Sequence, residues 1–417
     1  MEFRLSTKKV KKFPFFIILL TFALSSLSAT IIFPILAPLF FGESQTIIQA
    51  HIPENIRSIL FGVFLAAFPL AQFLFAPLIG EYSDRKGRKK AFIVTLVLEV
   101  VGYLLAGAGI EYRHMSLLFI GRFISGLGAA NFSCCLATLT DISYDGKSRA
   151  RYFSYGSAVA GIMFILGPFL GGKLSDPTLS SFFNLAFPMW MGALFAFLNL
   201  ILILFAFKET RSSKKESSGD PIKSIHNLQK ALHENSTRTL YTVFFFFLFS
   251  WNMLYQFLPA LLVEEFQATS SLIGDLSALM GIVWFVGTLT VSIVAHFLGR
   301  PKWALISSLI FFSTTVVFIP YQLKLYPFLI VTALSVFFAG GIWPILMGTI
   351  SKISDPNTQG KTLGITQSVQ SLSMMLAPVF GGFFLQAHSS ILFICATVSS
   401  TIALMFLLRL KSSLFKV

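Results

Sequence analysis

The sequence predicts an all-α polytopic membrane protein with twelve transmembrane helices in two six-helix halves. Three observations support this fold class: the composition of the chain, long apolar segments that recur along it, and an internal repeat. Of the 417 residues, 55% are hydrophobic, 48 are Phe and only 12% are charged. A soluble domain needs more polar residues than this to cover its surface, so most of the chain is expected to face lipid or other helices.

Apolar windows of about 20 residues recur along the chain, and a helix of this length crosses a hydrocarbon core of about 30 Å. The first window follows a basic segment, but it is too long for a signal peptide and has no small-x-small cleavage site, so it is expected to be a membrane helix. The windows predict twelve spans, numbered here in chain order: 13–40, 57–79, 91–110, 115–140, 151–172, 182–207, 239–263, 271–298, 303–322, 326–350, 362–387 and 390–409.

The formal net charge of +14 is placed mainly in short loops and at the ends of the apolar segments. No amphipathic face concentrates the basic residues, so the chain is not expected to bind nucleic acid. With a cytoplasmic N-terminus, 27 of the 32 lysines and arginines fall on the cytoplasmic side, and four fall outside: Arg57, Arg113, Lys173 and Lys324. The positive-inside rule therefore predicts that both termini are cytoplasmic.

One long polar segment, residues 208–238, separates spans 6 and 7. It is rich in Ser and Lys and has too few apolar residues for a core, so it is interpreted as a cytoplasmic linker. A helix on the membrane surface over residues 222–234 is the less favoured alternative. The expected organisation is an N-terminal half (1–207), this linker, and a C-terminal half (239–417).

An internal repeat supports the division into halves. Residues 145–172 align without a gap with residues 355–382, which pairs Pro168 with Pro378 and the two glycines that end each segment. Two parallel six-helix repeats, related by an axis along the membrane normal, are typical of secondary transporters. The substrate is then expected to bind near the midplane, between the halves.

The cysteines and histidines suggest no chemistry of their own. Cys134, Cys135 and Cys395 all lie in apolar segments, where they are expected to pack as small apolar side chains. Their spacing matches neither a disulfide framework nor a metal site, and no nucleophile–His–acid set or phosphate-binding loop is present. We therefore expect no metal, no cofactor and no enzymatic activity.

The loop between spans 2 and 3, "GEYSDRKGRKK" (80–90), places seven charged side chains in eleven positions. A glycine such as Gly80 lets helices approach closely, and Asp84 can face the positive N-terminal end of a neighbouring helix. Arg85 and Arg88 can form bidentate contacts with carboxylates. A loop that serves only membrane topology would explain the lysines, but it would explain neither Asp84 nor the glycines at 80 and 87.

Three segments resemble motifs of the major facilitator superfamily. The loop resembles the family signature Gly-x-x-x-Asp-Arg-x-Gly-Arg-[Arg/Lys], with Gly80, Asp84, Arg85, Gly87, Arg88 and Lys89 in register. The segment "GRFISGLGAAN" (121–131) is similar to the fourth-helix motif, and residues 140–172 are similar to the stretch that ends in the fifth-helix antiporter motif. The set most resembles the twelve-helix drug:proton antiporters of the tetracycline-efflux type.

The resemblance implies the major facilitator fold and proton-coupled efflux of a small amphipathic solute or drug by alternating access. It implies a monomer in the bacterial inner membrane, whose partners are protons, the solute and the lipid bilayer. Two alternatives stay open: a facilitator or importer of a small metabolite such as an amino acid, and, in another class, a transporter-like membrane sensor. The substrate is not identified by the resemblance.

The resemblance also implies roles for two groups of residues. In a cytoplasmic gate, Asp84 faces the start of span 11 near residues 360–363, and Arg88 pairs with Asp141. Such contacts are expected when the cytoplasmic side is closed, so they would stabilise the outward-open state. In span 5, an antiporter motif is formed by small residues and a proline: Gly161, Gly167, Pro168, Gly171 and Gly172. Plain helix packing by these residues is the alternative.

Two ionisable residues lie inside spans, Glu99 in span 3 and Arg122 in span 4. Each is costly in the bilayer unless it is paired or faces water, so each is a functional candidate. Arg122 matches the Arg of the family's fourth helix, which implies a part in proton movement, whereas Glu99 is either a protonation site or a structural partner of Arg122. Many relatives carry an acid in helix one about nine residues before a proline; counting back from Pro34 gives Ser25, which is no acid.

A polar and aromatic stripe on span 7 is the predicted wall of the substrate cavity. Trp251, Asn252, Tyr255 and Gln256 recur at i, i+1, i+4 and i+5, on one side of a helix, and aromatic rings with amides suit an amphipathic solute. The alternative is that the rings form interface belts and the amides bond between helices. Further cavity candidates lie on other spans: Ser25, Asn131, Trp343, Gln367 and Gln370.

Overall fold

The computed structural model describes residues 12–42, 47–48, 52–143, 146–210, 235–322, 324–353 and 359–415. Twelve helical segments in these ranges are long and apolar enough to cross a membrane, so the predicted fold class is confirmed. Most of the predicted linker, including residues 222–234, lies outside the described residues. The helices of spans 1 to 12 are Lys12–Thr30 with Phe33–Leu36 and Pro38–Phe41, Glu54–Lys86, Arg88–Glu111, Met115–Gly128 with Asn131–Ile142, Gly146–Leu174, Phe187–Phe205, Asn235–Phe266, Ser270–Phe297, Pro301–Phe318, Leu325–Ile353, Gln359–Ala387 and Ser389–Arg409.

Spans 1 and 4 are each interrupted, although the sequence predicts them as continuous. In span 1, Pro34 and Pro38 each stand at the start of a short helix, because a proline has no N–H to donate to the preceding turn. In span 4, Ala129 and Ala130 form a tight turn in which Phe132 N–H donates to the Ala129 carbonyl at 3.3 Å. This turn separates the two helices of span 4 and begins the second one at Asn131.

Spans 3 and 4 pack with their backbones in contact. A Cβ at Gly102 would collide with the backbone of Ser125, and a Cβ at Gly128 would lie 2.7 Å from the backbone nitrogen of Glu99. Small residues allow such close approach between helices in lipid. The close packing brings Glu99, in the middle of span 3, directly against the turn of span 4.

The halves meet at two crossings, one between spans 5 and 8 and the other between spans 2 and 11. We call the side of the bundle on which the described chain begins and ends the terminus side, and the opposite side the far side. At the first crossing a Cβ at Gly274 would lie 2.6 Å from the Pro168 carbonyl oxygen and 2.8 Å from the Cα of Gly172. At the second, a Cβ at Gly62 would lie 2.9 Å from the Cα of Gly382. Both contacts lie in the far-side parts of their helices.

The two crossings use the same residue types at repeat-related positions. A Cβ at Gly172 would lie 2.7 Å from the Ser270 carbonyl oxygen, and a Cβ at Gly382 would lie 2.7 Å from the Ser58 carbonyl oxygen. Ser270 follows Ser58 by 212 residues, as Gly274 follows Gly62. The internal repeat therefore extends to spans 2 and 8, where the sequence alignment did not reach.

An ion pair joins the halves at one crossing. Lys173 Nζ lies 2.7 Å from Asp275 Oδ2 and donates to Ser271 Oγ at 3.2 Å. At the repeat-related positions of the other crossing stand Val63 and Phe383, which are apolar. Among the described residues, a Cβ added at Gly80, near the terminus-side end of span 2, would meet no atom within 4 Å.

Candidate transport site

The predicted pair between Arg88 and Asp141 is present and belongs to a compact cluster on the terminus side. Arg88 Nε lies 2.7 Å from Asp141 Oδ2, and Nη2 lies 3.4 Å from Oδ1, which makes the contact bidentate. Nη1 donates to Asp84 Oδ1 at 2.9 Å and to Ser83 Oγ at 2.8 Å. The Arg88 side chain is only 8% exposed. We call Asp84, Arg88 and Asp141 the latch.

The latch lies wholly within the N-terminal half, and it is formed while the halves touch on the far side. The sequence predicts that these contacts hold the terminus side closed; here the Arg88–Asp141 pair is present together with the far-side crossings. Arg85 pairs with Glu81 at 2.7 Å, one turn earlier in span 2. The expected contact of Asp84 with the side chains at the start of span 11 lies outside the described residues.

Gly87 adopts a φ of +101°, which favours glycine. Its neighbour in space is Glu209, a residue that the sequence analysis passed over. Glu209 Oε1 accepts a hydrogen bond from the Arg88 N–H at 3.0 Å, and Oε2 accepts one from the Lys89 N–H at 3.1 Å. A carboxylate just after span 6 therefore caps the start of span 3. In the sequence, Glu209 differs from its surroundings only as an acidic residue in a basic segment.

Replacing Asp141 with Asn is expected to disturb the latch more than replacing Asp84 with Asn. With Arg88, Asp141 makes two contacts and Asp84 makes one, and the Asp141 side chain is 22% exposed against 42% for Asp84. Losing a hydrogen-bonded charge partner costs about 1–3 kcal/mol, so Asp141→Asn should lower the thermal stability of the detergent-solubilised protein measurably. Glu81→Gln is the matched control, because Glu81 is about as exposed as Asp141, at 20%, but pairs with Arg85, whose side chain is 53% exposed. Equal effects of all three variants would contradict this ranking.

Glu99 lies at the centre of a buried polar network that connects spans 1, 3, 4 and 6. Asn131 Nδ2 donates to Glu99 Oε1 at 2.8 Å and to Ser25 Oγ at 2.7 Å. Asn199 Nδ2 donates to the same Ser25 Oγ at 3.1 Å and to the Thr21 carbonyl at 3.2 Å. Ser25, in place of the helix-one acid of many relatives, is thus an acceptor for two amides. Asn199 and Thr21 were not among the predicted residues.

Three polar atoms in this network are buried without a hydrogen-bond partner among the described residues: Glu99 Oε2, Asn199 Oδ1 and Thr21 Oγ1. Glu99 is 3% exposed, and within the described ranges it forms no ion pair. Its carboxyl group therefore has one donor, Asn131, and no cation. In a low-dielectric interior, one neutral donor offsets only part of the cost of taking a carboxylate out of water.

Arg122 is buried, with 8% of its surface exposed, but it does not form an ion pair with Glu99. Its guanidinium lies over the ring of Phe68 at 4.3 Å, a cation–π contact. Its Nε and Nη1 have no acceptor among the described residues. Of the two roles left open for Glu99, a structural ion pair with Arg122 is absent from this conformation.

The five residues of the antiporter motif divide among three environments. Gly167 and Gly171 face span 1, where a Cβ would collide with Thr30 and with the Ile31 carbonyl. Pro168 and Gly172 face span 8 at the crossing described above, and a Cβ at Gly161 would meet no atom within 4 Å in the described part of the chain. The motif therefore binds span 5 both to the interrupted part of span 1 and to the opposite half.

The aromatic part of the span 7 stripe continues onto two other helices. Trp251 and Tyr255 stack with centroids 5.4 Å apart, and Tyr255 stacks on Phe33 of span 1 at 4.7 Å. Trp251 also contacts Trp284 of span 8 at 4.4 Å. All four rings are partly exposed, so they form an aromatic surface that both halves contribute to.

Two of the predicted cavity amides are buried instead. Asn252 is 6% exposed and donates to the Leu248 carbonyl at 2.8 Å and to Ser373 Oγ at 3.2 Å, which ties span 7 to span 11. Asn131 is 2% exposed and holds Glu99. In this conformation both amides form hydrogen bonds between helices, and a place in the substrate cavity stays a prediction for both residues. The remaining candidates are partly exposed: Ser25, Gln256, Trp343, Gln367 and Gln370.

Twelve spans in two repeat-related halves, with buried ionisable groups in the first half and an aromatic surface between the halves, define a polytopic membrane transporter. The Major Facilitator Superfamily family model matches residues 18–261 and 240–414. The chain belongs to this superfamily and is a secondary active transporter that carries a small-molecule substrate, a transporter rather than an enzyme.

Individual proteins show the same likeness. The chain is 28% identical over 386 residues to the class H tetracycline resistance protein of Pasteurella multocida, covering 88% of each chain. It is 25% identical to multidrug resistance protein 1 of Bacillus subtilis (strain 168), over 82% of this chain and 85% of that one. The solved structure of the human organic anion transporter MFSD10 superposes with a TM-score of 0.69 at 22% identity, covering 95% of this chain and 99% of that one.

Proposed function

We propose that the protein exports a small amphipathic solute in exchange for protons, by alternating access between its two halves. The observation that carries the proposal is the environment of Glu99, a buried carboxyl with one hydrogen-bond donor and no cation among the described residues. Such a group is costly when charged and inexpensive when protonated. Its protonation state therefore changes the energy of the conformation that encloses it.

The network supplies the link between the proton and the helices. When Glu99 is ionised, Asn131 is held to it and to Ser25, so spans 1, 3 and 4 are drawn to one charge. When Glu99 is protonated, its carboxyl group carries an O–H that can donate a hydrogen bond. The negative charge that attracts the Asn131 amide is then lost. Span 1 carries both Phe33 of the aromatic surface and Ser25 of the network, so occupation of the solute site and of the proton site can favour different arrangements of this span.

The aromatic surface of Phe33, Trp251, Tyr255 and Trp284 supports an amphipathic solute with a planar part. Stacking on such rings contributes about 0.5–1.5 kcal/mol for each aromatic pair beyond the area that is buried. The relatives that are named for tetracycline and multidrug resistance support export of a drug-like solute.

Topology and setting complete the proposal. The excess of basic residues on the terminus side supports a cytoplasmic location of that side and of both termini. The conformation described above is then closed toward the outside, through the two crossings. The tetracycline resistance relatives support a bacterial inner membrane as the setting, and a monomer contains all the residues named here.

A second candidate is transport of an organic anion. Arg122 favours it, because this buried guanidinium has two nitrogens without an acceptor among the described residues. The likeness to a structure named as an organic anion transporter is in keeping with it. In this case a carboxylate or similar group of the solute would accept hydrogen bonds from Arg122.

Purified protein in liposomes tests both candidates. The solute starts at the same concentration inside and outside the vesicles, and the vesicle interior is made more acidic than the medium. We then expect a cationic or neutral planar drug to accumulate inside the vesicles while protons leave them. Concentrative uptake of organic acids only, lost in Arg122→Gln, would instead favour the second candidate. Downhill solute movement without any proton flux would contradict the exchange mechanism.

A further inference from the structure

Glu209 links the end of span 6 to the start of span 3. The first N–H groups of a helix have no acceptor within the helix, and two of them, on Arg88 and Lys89, donate to the two carboxylate oxygens of Glu209. A negative charge at this end is also favoured by the helix dipole. The carboxylate comes from a residue 121 positions away from Arg88, so the contact is tertiary and not a local cap.

The contact is reciprocal. Lys89 Nζ donates to the carbonyl of Leu204, in the last turn of the span 6 helix, at 2.8 Å. Spans 3 and 6 therefore stabilise each other's ends, with a carboxylate at the positive end of one and an ammonium at the negative end of the other.

Gly87 makes room for this arrangement. A Cβ at this position would lie 2.5 Å from Glu209 Oε2 and 2.9 Å from its Cδ. Together with the positive φ of Gly87, this means that a side chain there would displace the carboxylate from the helix end. The second glycine of the 80–90 loop is thus explained by Glu209 as well as by the turn.

Arg88 takes part in both structures. Its backbone N–H is held by Glu209, and its side chain forms the centre of the latch with Asp84 and Asp141. The first turn of span 3 fixes where the Arg88 side chain begins, so a shift of this turn changes its distance to Asp141. Glu209 also stands just before the polar segment through which the chain passes to the second half.

We propose that Glu209 is a positioning residue of the latch: it holds the first turn of span 3 so that Arg88 reaches Asp141, and it fixes the point at which the connection between the halves leaves the first half. The role goes beyond stabilising a helix end. Loss of the carboxylate should weaken the latch even though no latch residue has changed.

A double-mutant cycle between Glu209→Gln and Asp141→Asn tests this role in the full-length protein. The readout is the distribution of distances, measured by double electron–electron resonance, between spin labels at Lys90→Cys and Arg300→Cys in a background with the three native cysteines replaced by Ala. Glu209→Gln is expected to change the ratio of open to closed populations on the terminus side about two- to five-fold. In Asp141→Asn, the same substitution should have little further effect, because both act through Arg88.

Three comparisons make the test decisive. Glu209→Lys places a cation at the positive helix end and should shift the populations further in the same direction, and Gly87→Ala should reproduce Glu209→Gln with the carboxylate still present. Glu111→Gln, which removes an exposed acid at the other end of span 3, should leave the distances unchanged. Additive effects of Glu209→Gln and Asp141→Asn, or a lower melting temperature with wild-type distances, would overturn the proposal and leave Glu209 as a helix cap only.

Discussion

Replacing Glu99 with Gln is expected to abolish proton-driven solute accumulation while leaving solute binding in place. Gln has nearly the same shape and can keep the hydrogen bond with Asn131, but it cannot take up or release a proton. For an exchange of one proton per solute, a pH difference of one unit supports a concentration ratio of at most about ten. We therefore expect a ratio near that limit in wild-type vesicles and a ratio of about one in Glu99→Gln vesicles.

The control for this experiment is Glu265→Gln, which removes an exposed acid at the end of span 7 and should accumulate solute as the wild type does. Equilibrium exchange of labelled solute should continue in the Glu99 variant, which separates loss of coupling from loss of folding. Proton-driven accumulation by Glu99→Gln at the wild-type level would exclude Glu99 as the coupling site and return it to a packing role.

Replacing Gly274 with Val is expected to prevent closure on the far side. A Cβ there would lie 2.6 Å from the Pro168 carbonyl oxygen and 2.8 Å from the Cα of Gly172, and backbone atoms cannot move aside as a side chain can. Overpacking of this kind costs about 1–3 kcal/mol, which corresponds to a shift of about 5- to 150-fold in the equilibrium between the far-side closed and far-side open forms. Transport should fall by a similar factor.

Gly62→Val at the other crossing should have the same effect, because its Cβ would lie 2.9 Å from the Cα of Gly382. Gly348→Val is the matched control, since a Cβ there would meet no atom of the described residues within 4 Å. The measurement is the labelling rate of a cysteine introduced near the far-side ends of spans 5 and 8, together with solute flux. Rates in Gly274→Val equal to those in the Gly348→Val control would show that the crossing does not govern closure.

The number and approximate limits of the spans could be predicted from the sequence. A helix that crosses a bilayer needs a long apolar window, and the polar segments of this chain contain none. The pairing of Arg88 with Asp141 could also be predicted, through the resemblance of the loop to a known signature. The break in span 4 escaped prediction, because Ala129 and Ala130 are good helix formers and the turn depends on how Gly128 packs on Glu99.

The composition of the buried network could not be predicted from any one segment. Glu99, Asn131 and Asn199 stand on three different spans, and only the packing of spans 1, 3, 4 and 6 brings their side chains together. The same holds for Glu209. It accepts hydrogen bonds from the backbone N–H groups of Arg88 and Lys89, and contacts with the backbone leave no pattern in the sequence. Trp251 and Tyr255 were found from helical spacing, whereas Phe33 and Trp284 needed the structure.

The ion pair between Lys173 and Asp275 makes the two crossings electrostatically unequal. Both side chains are partly exposed, at 33% and 41%, so dissolved salt weakens their attraction. At the crossing of spans 2 and 11, Val63 and Phe383 stand in the corresponding places and carry no charge for salt to screen. If the far side faces outward, the salt concentration outside the cell screens the attraction between Lys173 and Asp275, and with it one contact that holds the two halves together on that side.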